Sequence, residues 1–245
     1  MSAARPLGED ISVYSLSGRS MMARALSDLA SGRPILLYDL DGREQETDMI
    51  VSGELITPDH IAALRTEAGG LICAAIPLRV ATRLGLPYLR DLYQSSSWTA
   101  LRALSSSQAP YGGYPAFSVS INHRDTYTGI TDLERHRTIR ELASLVEEAS
   151  GDGAKDWPRI LADRFRSPGH VHILIGSDLA KRQGHTELSL RLAEMAKLQP
   201  VMVICEMLDA QTHKALAKAK AEEYARRHGL ALVEAREVLA TAGVP

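Results

Sequence analysis

The chain has 245 residues, of which 45% are hydrophobic, and its 28 basic and 30 acidic residues give a formal net charge of −2. That length and apolar content suffice for a buried core, whereas the nearly balanced charge excludes a global field that would attract nucleic acid or an anionic membrane. We therefore expect one domain over residues 1–245 whose partners are small molecules.

The cysteines and the start of the chain indicate the compartment. Cys73 and Cys205 lie in the apolar runs LICAAI and VMVICEM, and buried thiols of this kind are typical of reduced cytosolic proteins. The opening MSAARPLGED contains no apolar signal segment, and no window holds the roughly 18 consecutive apolar residues that a membrane span needs. We predict a cytoplasmic protein without a disulfide framework.

Short β-rich runs alternate with helical stretches along the chain. This alternation predicts an α+β fold, a mixed β-sheet covered by helices in a sandwich-like arrangement. Residues 1–17 are predicted to form a loose or docking segment, and residues 93–115, rich in Ser, Gly and Pro, predict an inserted excursion or lid. The candidate strands, in order, are PILLYDL, GLICAAI, AFSVSIN, HVHILIG, PVMVICEML and LALVE.

Four stretches carry helical patterns. TPDHIAALRTEAGG has a cap at Thr57, a proline at the first helical position and glycine at its end, and THKALAKAKAEEYARRHG predicts a helix from Thr212 to Gly229. The other two are TDLERHRTIRELASLVEEASG and HTELSLRLAEMAKL. In the last, Leu188, Leu192 and Met195 share one face, which predicts a core-facing stripe.

The stretch DLDGREQETD, residues 39–48, holds five acidic residues and one arginine directly after a predicted strand. Glu44, Glu46 and Asp48 alternate at period two, so they would face one side if the backbone stays extended. Crowded carboxylates repel one another unless a cation lies among them, and Mg²⁺ prefers oxygen ligands. Taken alone, the stretch fits either a solvated turn or one wall of a metal site; Asp39 and Asp41 are expected to stay solvated.

The stretch KRQGHTEL combines Arg182, a glycine, His185 and Thr186 at the start of a predicted helix. Backbone N–H groups at a helix start favour anions, and a hydroxyl and a guanidinium add further donors. A phosphate or metal role is one interpretation of this stretch. Ordinary capping of the helix by Thr186 is the other.

Two further side chains carry acid–base potential. His170 follows a Pro-Gly turn at the entrance to a strand, and an imidazole titrates near neutral pH, although a purely structural role for it remains open. Glu206 ends the apolar run PVMVICE. A carboxylate at the end of a buried strand has to be paired, adjacent to a metal, or functional.

These stretches, in this order, resemble the 3,4-dihydroxy-2-butanone 4-phosphate synthase family of riboflavin biosynthesis. The resemblance runs from about Arg33 to about Leu239 and rests on REQETDMI, SINHRDTYTGITDLER, SPGHV, RQGHTEL and ICE. The motif NHRDTYTGITD and the inserted segment 93–115 resemble the archaeal, single-domain branch of the family more than the bacterial branch. The resemblance implies the fold of that family.

It also implies an activity and a site. The family converts D-ribulose 5-phosphate to L-3,4-dihydroxy-2-butanone 4-phosphate and formate, assisted by Mg²⁺ or Mn²⁺, in a homodimer with active sites at the subunit interface. On matching positions, Glu44 and His185 would ligate the metal, and His170, Glu206 and Asp48 would be catalytic. The implied substrate-binding residues are Arg43, Glu44, Asp48, Arg182, Gln183, Gly184, His185, Thr186 and Glu206.

Two alternatives remain open at this level. Another metal-dependent phosphosugar isomerase or aldolase-like enzyme would share the metal and phosphate contacts but need other acid–base groups. A catalytically silent sugar-phosphate-binding paralogue on the same fold is the second alternative, since a fold does not fix a function. The joint presence of five candidate residues argues against the silent protein, because a binder does not need them all: Glu44, Asp48, His170, His185 and Glu206.

Overall fold

The computed structural model describes residues 11–243, with side chains described from residue 21 onward. The strands are β1 (Ile35–Tyr38), β2 (Thr47–Ser52), β3 (Cys73–Pro77), β4 (Phe117–His123), β5 (Phe165–Gly176), β6 (Met202–Glu206), β7 (Leu208–Asp209), β8 (Lys214–Ala215) and β9 (Leu232–Glu234). The helices are α1 (Ile11–Ala30), α2 (Pro58–Ala63), α3 (Leu78–Arg83), α4 (Leu89–Ser95), α5 (Thr99–Leu104), α6 (Asp132–Ser150), α7 (Trp157–Arg164), α8 (His185–Met195), α9 (Lys218–His228) and α10 (Ala235–Ala242).

Within the described residues, seven strands form one mixed sheet in the order β4-β5-β3-β6-β2-β1-β9, and β7 and β8 form a separate small ribbon. β1 pairs in parallel with β9 and β3 with β5, while the other neighbours in the sheet are antiparallel. The predicted α+β fold is confirmed. Over residues 11–243, no helix has both the length and the apolar character needed to cross a membrane.

Both faces of the sheet are covered, because alternate residues of the central strands enter two separate apolar clusters. Val203 and Cys205 of β6 lie in the cluster on the α2 and α6 side, whereas Met202 and Ile204 lie in the cluster with α1, α8 and α10. Burial on both faces explains why the central strands read as nearly continuous apolar runs. The six predicted strands are all present for this reason.

One strand was missing from the prediction. β2 begins with Thr47 and Asp48, and this polar start made residues 39–48 read as one loop, yet all six residues of β2 are buried. It lies between β1 and β6 near the centre of the sheet. Asp48 is therefore a strand residue with a fixed direction and not part of a turn.

The starts of two helices, α9 and α1, differ from what the sequence predicts. The helix predicted from Thr212 begins at Lys218, because Lys214 and Ala215 pair with β7 instead. The loose segment predicted for residues 1–17 is helical from Ile11 onward, and its first ten residues lie outside the described part. Met22, Ala25 and Leu29 of this helix pack into the core. Their spacing of three and four residues is that of a helix with one buried face.

The start of α2 follows the prediction. Thr57 caps the helix, accepting a hydrogen bond from the His60 backbone N–H at 3.3 Å, and a proline occupies the first turn. After α2 the chain continues through a π-helical turn and ends at Gly69, which has a left-handed backbone with φ of 87°. This ending places the next two residues, Gly70 and Leu71, against the end of β6.

Candidate active site

Two carboxylates face each other across the centre of the sheet. Asp48 of β2 is the register partner of Glu206 of β6, and strand alternation directs both toward the face covered by α8, together with Ile50 and Ile204. Burial raises the pKa of Asp48 to about 7, and the negative charges of Glu206 and Glu44 add to that effect. A carboxyl group with this pKa exchanges its proton near neutral pH.

Glu206 is held by the turn that follows Gly69. Its carboxylate accepts a hydrogen bond from the Leu71 backbone N–H at 2.8 Å, and its carbonyl accepts one from the Gly70 N–H at 3.0 Å. A Cβ atom on Gly70 would collide with both the carboxylate and the carbonyl of Glu206. Glycine is therefore required at this position if Glu206 is to keep its place.

His185, the first residue of α8, lies against these carboxylates. Its Nδ1 is 3.3 Å from Glu44 Oε2 and 3.7 Å from Asp48 Oδ2, and its side chain is only 6% exposed. Burial disfavours a charged imidazole, but the neighbouring Asp48 and Glu44 carboxylates outweigh it and raise the pKa of His185 to about 9. The ring nitrogen Nε2 is buried without a hydrogen-bond partner.

Glu44 is fixed from several sides. Arg43 Nη1 lies 2.8 Å from its carboxylate, and Tyr111 lines the same cavity beside it. Burial alone would raise the pKa of Glu44, but the hydrogen bond from His185 and the charge of Arg43 lower it to about 2. Glu44 is therefore an anion at neutral pH.

The backbone between Glu44 and Asp48 is not extended throughout, since Gln45 is left-handed with φ of 57°. The condition attached to the period-two argument therefore fails. Glu44, Glu46 and Asp48 nevertheless line one cavity of about 280 Å³, together with His185 and other residues. The remaining lining residues are Tyr111, Pro115, Ala116, Phe117, Leu174, Arg182, Thr186, Ile204 and Glu206.

Asp39 was expected to be solvated, and this expectation is wrong. It is 2% exposed, and its Oδ2 accepts hydrogen bonds from Arg43 Nη1 at 2.7 Å and from the Glu44 backbone N–H at 3.1 Å. Asp41 is exposed as predicted and accepts a hydrogen bond from the Tyr38 hydroxyl at 3.0 Å. The position of Asp39 one residue after a buried strand was the signal that could have indicated its burial.

The second loop contributes positive charge. Arg43, Lys181, Arg182 and Gln183 line a neighbouring cavity of about 410 Å³, and Arg182 and Tyr111 lie at both cavities. A Cβ atom on Gly184 would lie 2.7 Å from Arg182 Nη1 and 2.8 Å from Arg43 Nη2. The two guanidinium groups thus converge over Gly184, which suits a doubly charged oxyanion.

The start of α8 differs from the predicted cap. The N-cap residue is Gly184, and Thr186 is the second residue of the helix, where it lines the cavity. Capping by Thr186 is therefore excluded. The N-terminal turn is instead satisfied by Glu187, which accepts from the Gly184 backbone N–H at 3.3 Å.

The chemistry of the cluster fits a divalent cation. Asp39, Glu44 and His185 each offer a ligand atom, and these atoms lie within 4.8 Å of one another. His185 Nε2, Asp39 Oδ1 and Asp48 Oδ1 are buried without hydrogen-bond partners, although buried polar atoms are normally satisfied. Oxygen and imidazole ligands that lack partners match the needs of a hard or borderline metal ion.

His170 lies apart from this cluster. It is exposed, its backbone N–H donates to Asn122 Oδ1 at 2.8 Å, and its Nδ1 lies 3.1 Å from Asn122 Nδ2. It shares a face of β5 with Leu174, which lines the cavity, but four residues of strand separate the two by about 13 Å. His172, between them, packs edge-on against Phe117.

Three residues at the site had no assigned role in the sequence. Asp39 and Glu187 are buried carboxylates that each contact a site arginine. Tyr111 comes from the segment 93–115 predicted to be a lid, and its ring lies 5.2 Å from the Arg43 guanidinium carbon. In the sequence, Glu187 follows Gly184 by three residues, and this capping-box spacing could have indicated that Glu187 closes the helix start. No sequence pattern indicated a role for Tyr111.

Comparisons with known proteins identify the family of the chain. Residues 23–241 match the family model of 3,4-dihydroxy-2-butanone 4-phosphate synthase. A protein of that name from Methanothermobacter thermautotrophicus is 42% identical over 223 residues, covering 89% of this chain and 94% of the relative. A solved structure of a 3,4-dihydroxy-2-butanone 4-phosphate synthase in complex with two magnesium ions has a TM-score of 0.71 at 26% identity, covering 90% of this chain and 95% of that one.

A further solved structure, a two-domain 3,4-dihydroxy-2-butanone 4-phosphate synthase from A. baumannii, has a TM-score of 0.69 at 24% identity and shows the same fold. The match covers 89% of this chain but only 56% of that protein, so the chain spans little more than half of its length. With a family model matched over most of its length and a relative at 42% identity, the chain belongs to the 3,4-dihydroxy-2-butanone 4-phosphate synthase family.

Proposed function

We propose that the protein converts D-ribulose 5-phosphate to L-3,4-dihydroxy-2-butanone 4-phosphate and formate, the reaction that supplies the four-carbon unit for riboflavin. The observation that carries the proposal is the pair of opposed carboxylates beside His185, the buried Asp48 and the half-buried Glu206. The reaction needs successive proton transfers at adjacent carbons, and such a pair provides two acid–base groups within one cavity. Family membership supports the same reaction.

Arg43 and Arg182 are the proposed phosphate ligands. Their guanidinium groups converge over Gly184 at the start of α8, where the positive end of the helix dipole also favours an anion. Gln183 and Thr186 line the adjoining cavities and complete this end of the proposed substrate site. Binding the phosphate remote from the reacting carbons positions them against the carboxylates.

Glu44 and His185 are the proposed metal ligands, with Asp39 near enough to contribute a third atom. Mg²⁺ is the proposed ion, and Mn²⁺ is the alternative that the same ligands accept. When bound, a divalent ion supplies a Lewis acid that polarises the carbonyl and hydroxyl oxygens of the substrate. A relative of the same fold is described in complex with two magnesium ions.

Asp48 is the proposed base for the C3 proton. Its pKa of about 7 means that its ionised form is available at neutral pH and that it binds a proton strongly enough to remove one. Glu206, on the opposing strand, is placed to return or remove protons at the adjacent carbon. Glu46 lines the same cavity and adds negative charge beside both.

We also propose that the active protein is a homodimer in which His170 acts in the site of the partner. Within one protomer His170 is exposed and does not line the cavity of Glu44 and His185. The loop near it and the first turn of α6 carry exposed apolar side chains, with Tyr127, Ile130 and Leu133 at 92%, 48% and 68% exposure. Apolar groups clustered in this way suit burial against a second copy of the chain.

A mixing experiment tests the shared site. Two inactive variants, His170→Asn and Glu44→Gln, are unfolded, refolded together and assayed for formate. Random assembly of shared sites would restore about a quarter of the wild-type activity, because each mixed dimer contains one site without either substitution. Mixed protein that stays inactive, or that sediments as a monomer, would contradict the shared site, and each variant refolded alone is the control.

We place the reaction in the cytoplasm and in one catalytic domain covering the chain. Both cysteines, Cys73 and Cys205, are buried and unpaired, and free thiols suit a reducing compartment. The one-domain proposal is supported by the main sheet, which takes its strands from residues as distant in sequence as Ile35 and Glu234.

The activity is tested directly. Purified protein is incubated with ribulose 5-phosphate and Mg²⁺, and formate and the four-carbon phosphate are followed by NMR, with EDTA as the metal control. Binding of substrate without release of formate in the presence of metal would contradict the proposal and support a catalytically silent sugar-phosphate-binding protein. Formation of an isomerised pentose phosphate would support a phosphosugar isomerase instead. A Glu44→Gln variant that keeps full metal-dependent activity would contradict the ligand assignment of Glu44 alone.

A further inference from the structure

We propose that Glu187 is a positioning residue, which holds Arg182 and the turn before α8 in the geometry that receives the phosphate of the substrate. The inference deepens the proposed function and rests on it. Glu187 does not line the cavity that holds Glu44 and His185, so it acts through Arg182 and not by touching the reacting atoms. Its evidence is a set of contacts with three residues of the connection between β5 and α8, Ser177, Arg182 and Gly184.

Both oxygens of the Glu187 carboxylate are occupied. Oε2 accepts hydrogen bonds from Arg182 Nη1 and from the Gly184 backbone N–H, and Oε1 accepts from the backbone N–H of Ser177 at 3.0 Å. The Glu187 side chain is only 1% exposed. A carboxylate this deeply buried is stable as an anion only when its partners stay in place.

Capping of α8 explains one of these contacts but not the others. A capping carboxylate needs only the N–H groups of the first helical turn, here that of Gly184. Ser177 instead belongs to the residues just after β5, and Arg182 belongs to the turn between β5 and α8. Glu187 therefore ties the end of a sheet strand, the anion-binding turn and the helix start to one another.

Arg182 needs such an anchor because of its neighbour. Its Nη1 and the Nη2 of Arg43 would both lie within 2.8 Å of a Cβ atom on Gly184. Two guanidinium groups this close to one point repel each other, because both carry a positive charge. Arg43 is held on its own side by the buried carboxylate of Asp39 at 2.7 Å. Without Glu187, the long and flexible Arg182 side chain would turn toward solvent and its convergence with Arg43 would be lost.

The test uses Glu187→Gln in the metal-loaded full-length protein, with Glu194→Gln as the matched control. Glu194 lies on the same helix but pairs with Arg191 at the surface. We expect Glu187→Gln to raise the KM for ribulose 5-phosphate and the Kd for inorganic phosphate by about tenfold or more, with kcat changing by less than about threefold. Glu194→Gln should leave all three constants unchanged.

A double variant separates positioning from stability. If Glu187 acts through Arg182, the Arg182→Gln/Glu187→Gln protein should bind phosphate no more weakly than Arg182→Gln alone, since the effects of residues in one unit do not add. A capping role alone would lower the melting temperature of Glu187→Gln and leave its KM and Kd at wild-type values, and that result would overturn the proposal. Additive losses in the double variant would overturn it as well.

Two further arms keep the outcome unambiguous. Should Glu187→Gln fail to fold, Glu187→Asp keeps the charge but shortens the side chain, and it should raise KM because it cannot reach Arg182 and Ser177 together. Wild-type values for Glu187→Asp in that case would contradict positioning. If the wild-type protein releases no formate, the proposed function fails, while the phosphate titration still decides the role of Glu187.

Discussion

The two segments that meet at His185, residues 39–48 and residues 177–187, carry buried carboxylates of opposite character. In the first segment, Asp39 and Asp48 each keep one oxygen without a hydrogen-bond partner. In the second, Glu187 has partners on both oxygens. The difference teaches that burial alone does not identify a carboxylate that can bind a ligand. A buried carboxylate oxygen without a hydrogen-bond partner is available to a ligand, whereas one with partners holds its neighbours in place.

The same contrast appears in the charges that surround Asp48 and Glu187. Asp48 lies opposite another carboxylate, Glu206, and near Glu44, so its ionisation is opposed by the fold. Glu187 instead faces the cation Arg182. Carboxylates crowded in this way favour the binding of a proton or a cation, and perturbed groups of this kind are common at functional sites.

The largest effect should come from the acidic side. Glu206→Gln keeps the size of the side chain but removes a proton acceptor beside Asp48, and we expect kcat to fall about a thousandfold with little change in KM. Steady-state formate release measures both constants. Glu222→Gln on the exposed face of α9 is the control, and a rise in KM without a fall in kcat would contradict the contrast with Glu187.

The next effect concerns pH. Because the pKa of His185 rises from 6.5 to about 9 on folding, protonation stabilises the native state below pH 6.5, and this stabilisation is lost as the pH rises toward 9. The full difference corresponds to about 3 kcal/mol. Asp48, with a pKa of about 7, is ionised above that pH in both states and adds no further slope.

Urea unfolding in EDTA should therefore show a lower free energy of unfolding at pH 9 than at pH 7. His185→Gln is the matched control, because without the imidazole most of the decrease between these two pH values should disappear. An equal decrease in the free energy of unfolding of the variant would show that other groups cause the pH dependence. The ion pairs of His185 with Glu44 and Asp48 would then contribute little to stability.

The smallest effect should be a gain in stability. Burial of an ionised Asp48 is unfavourable at pH 8, where its pKa of about 7 leaves it charged, but the His185 imidazolium beside it offsets part of that cost. In the His185→Gln background, which removes this offset, Asp48→Asn should therefore stabilise the metal-free protein by about 2 kcal/mol. Urea unfolding measures the gain, with the exposed Asp152→Asn as the control. A destabilised Asp48→Asn would show that Asp48 is supported by its surroundings in the way that Glu187 is.

Much of the fold was predictable because its strands are buried on both faces. Each apolar run became a strand, but β2 was missed since Thr47 and Asp48 are polar and nevertheless buried. The same local reasoning placed Asp39 in solvent and began α9 too early. These errors share one cause, because neighbours distant in sequence decide whether a polar residue is buried or a segment pairs as a strand.

The sequence by itself determined the family and the residue types at the site, because the motifs REQETDMI, RQGHTEL and ICE are local strings. Only the tertiary structure decided which of those residues lie together. Glu44 contacts His185 across 141 positions of chain, and His170 lies outside the cavity that these two residues line. Whether a carboxylate is satisfied or free depends on partners that folding brings to it, and no local string contains that information.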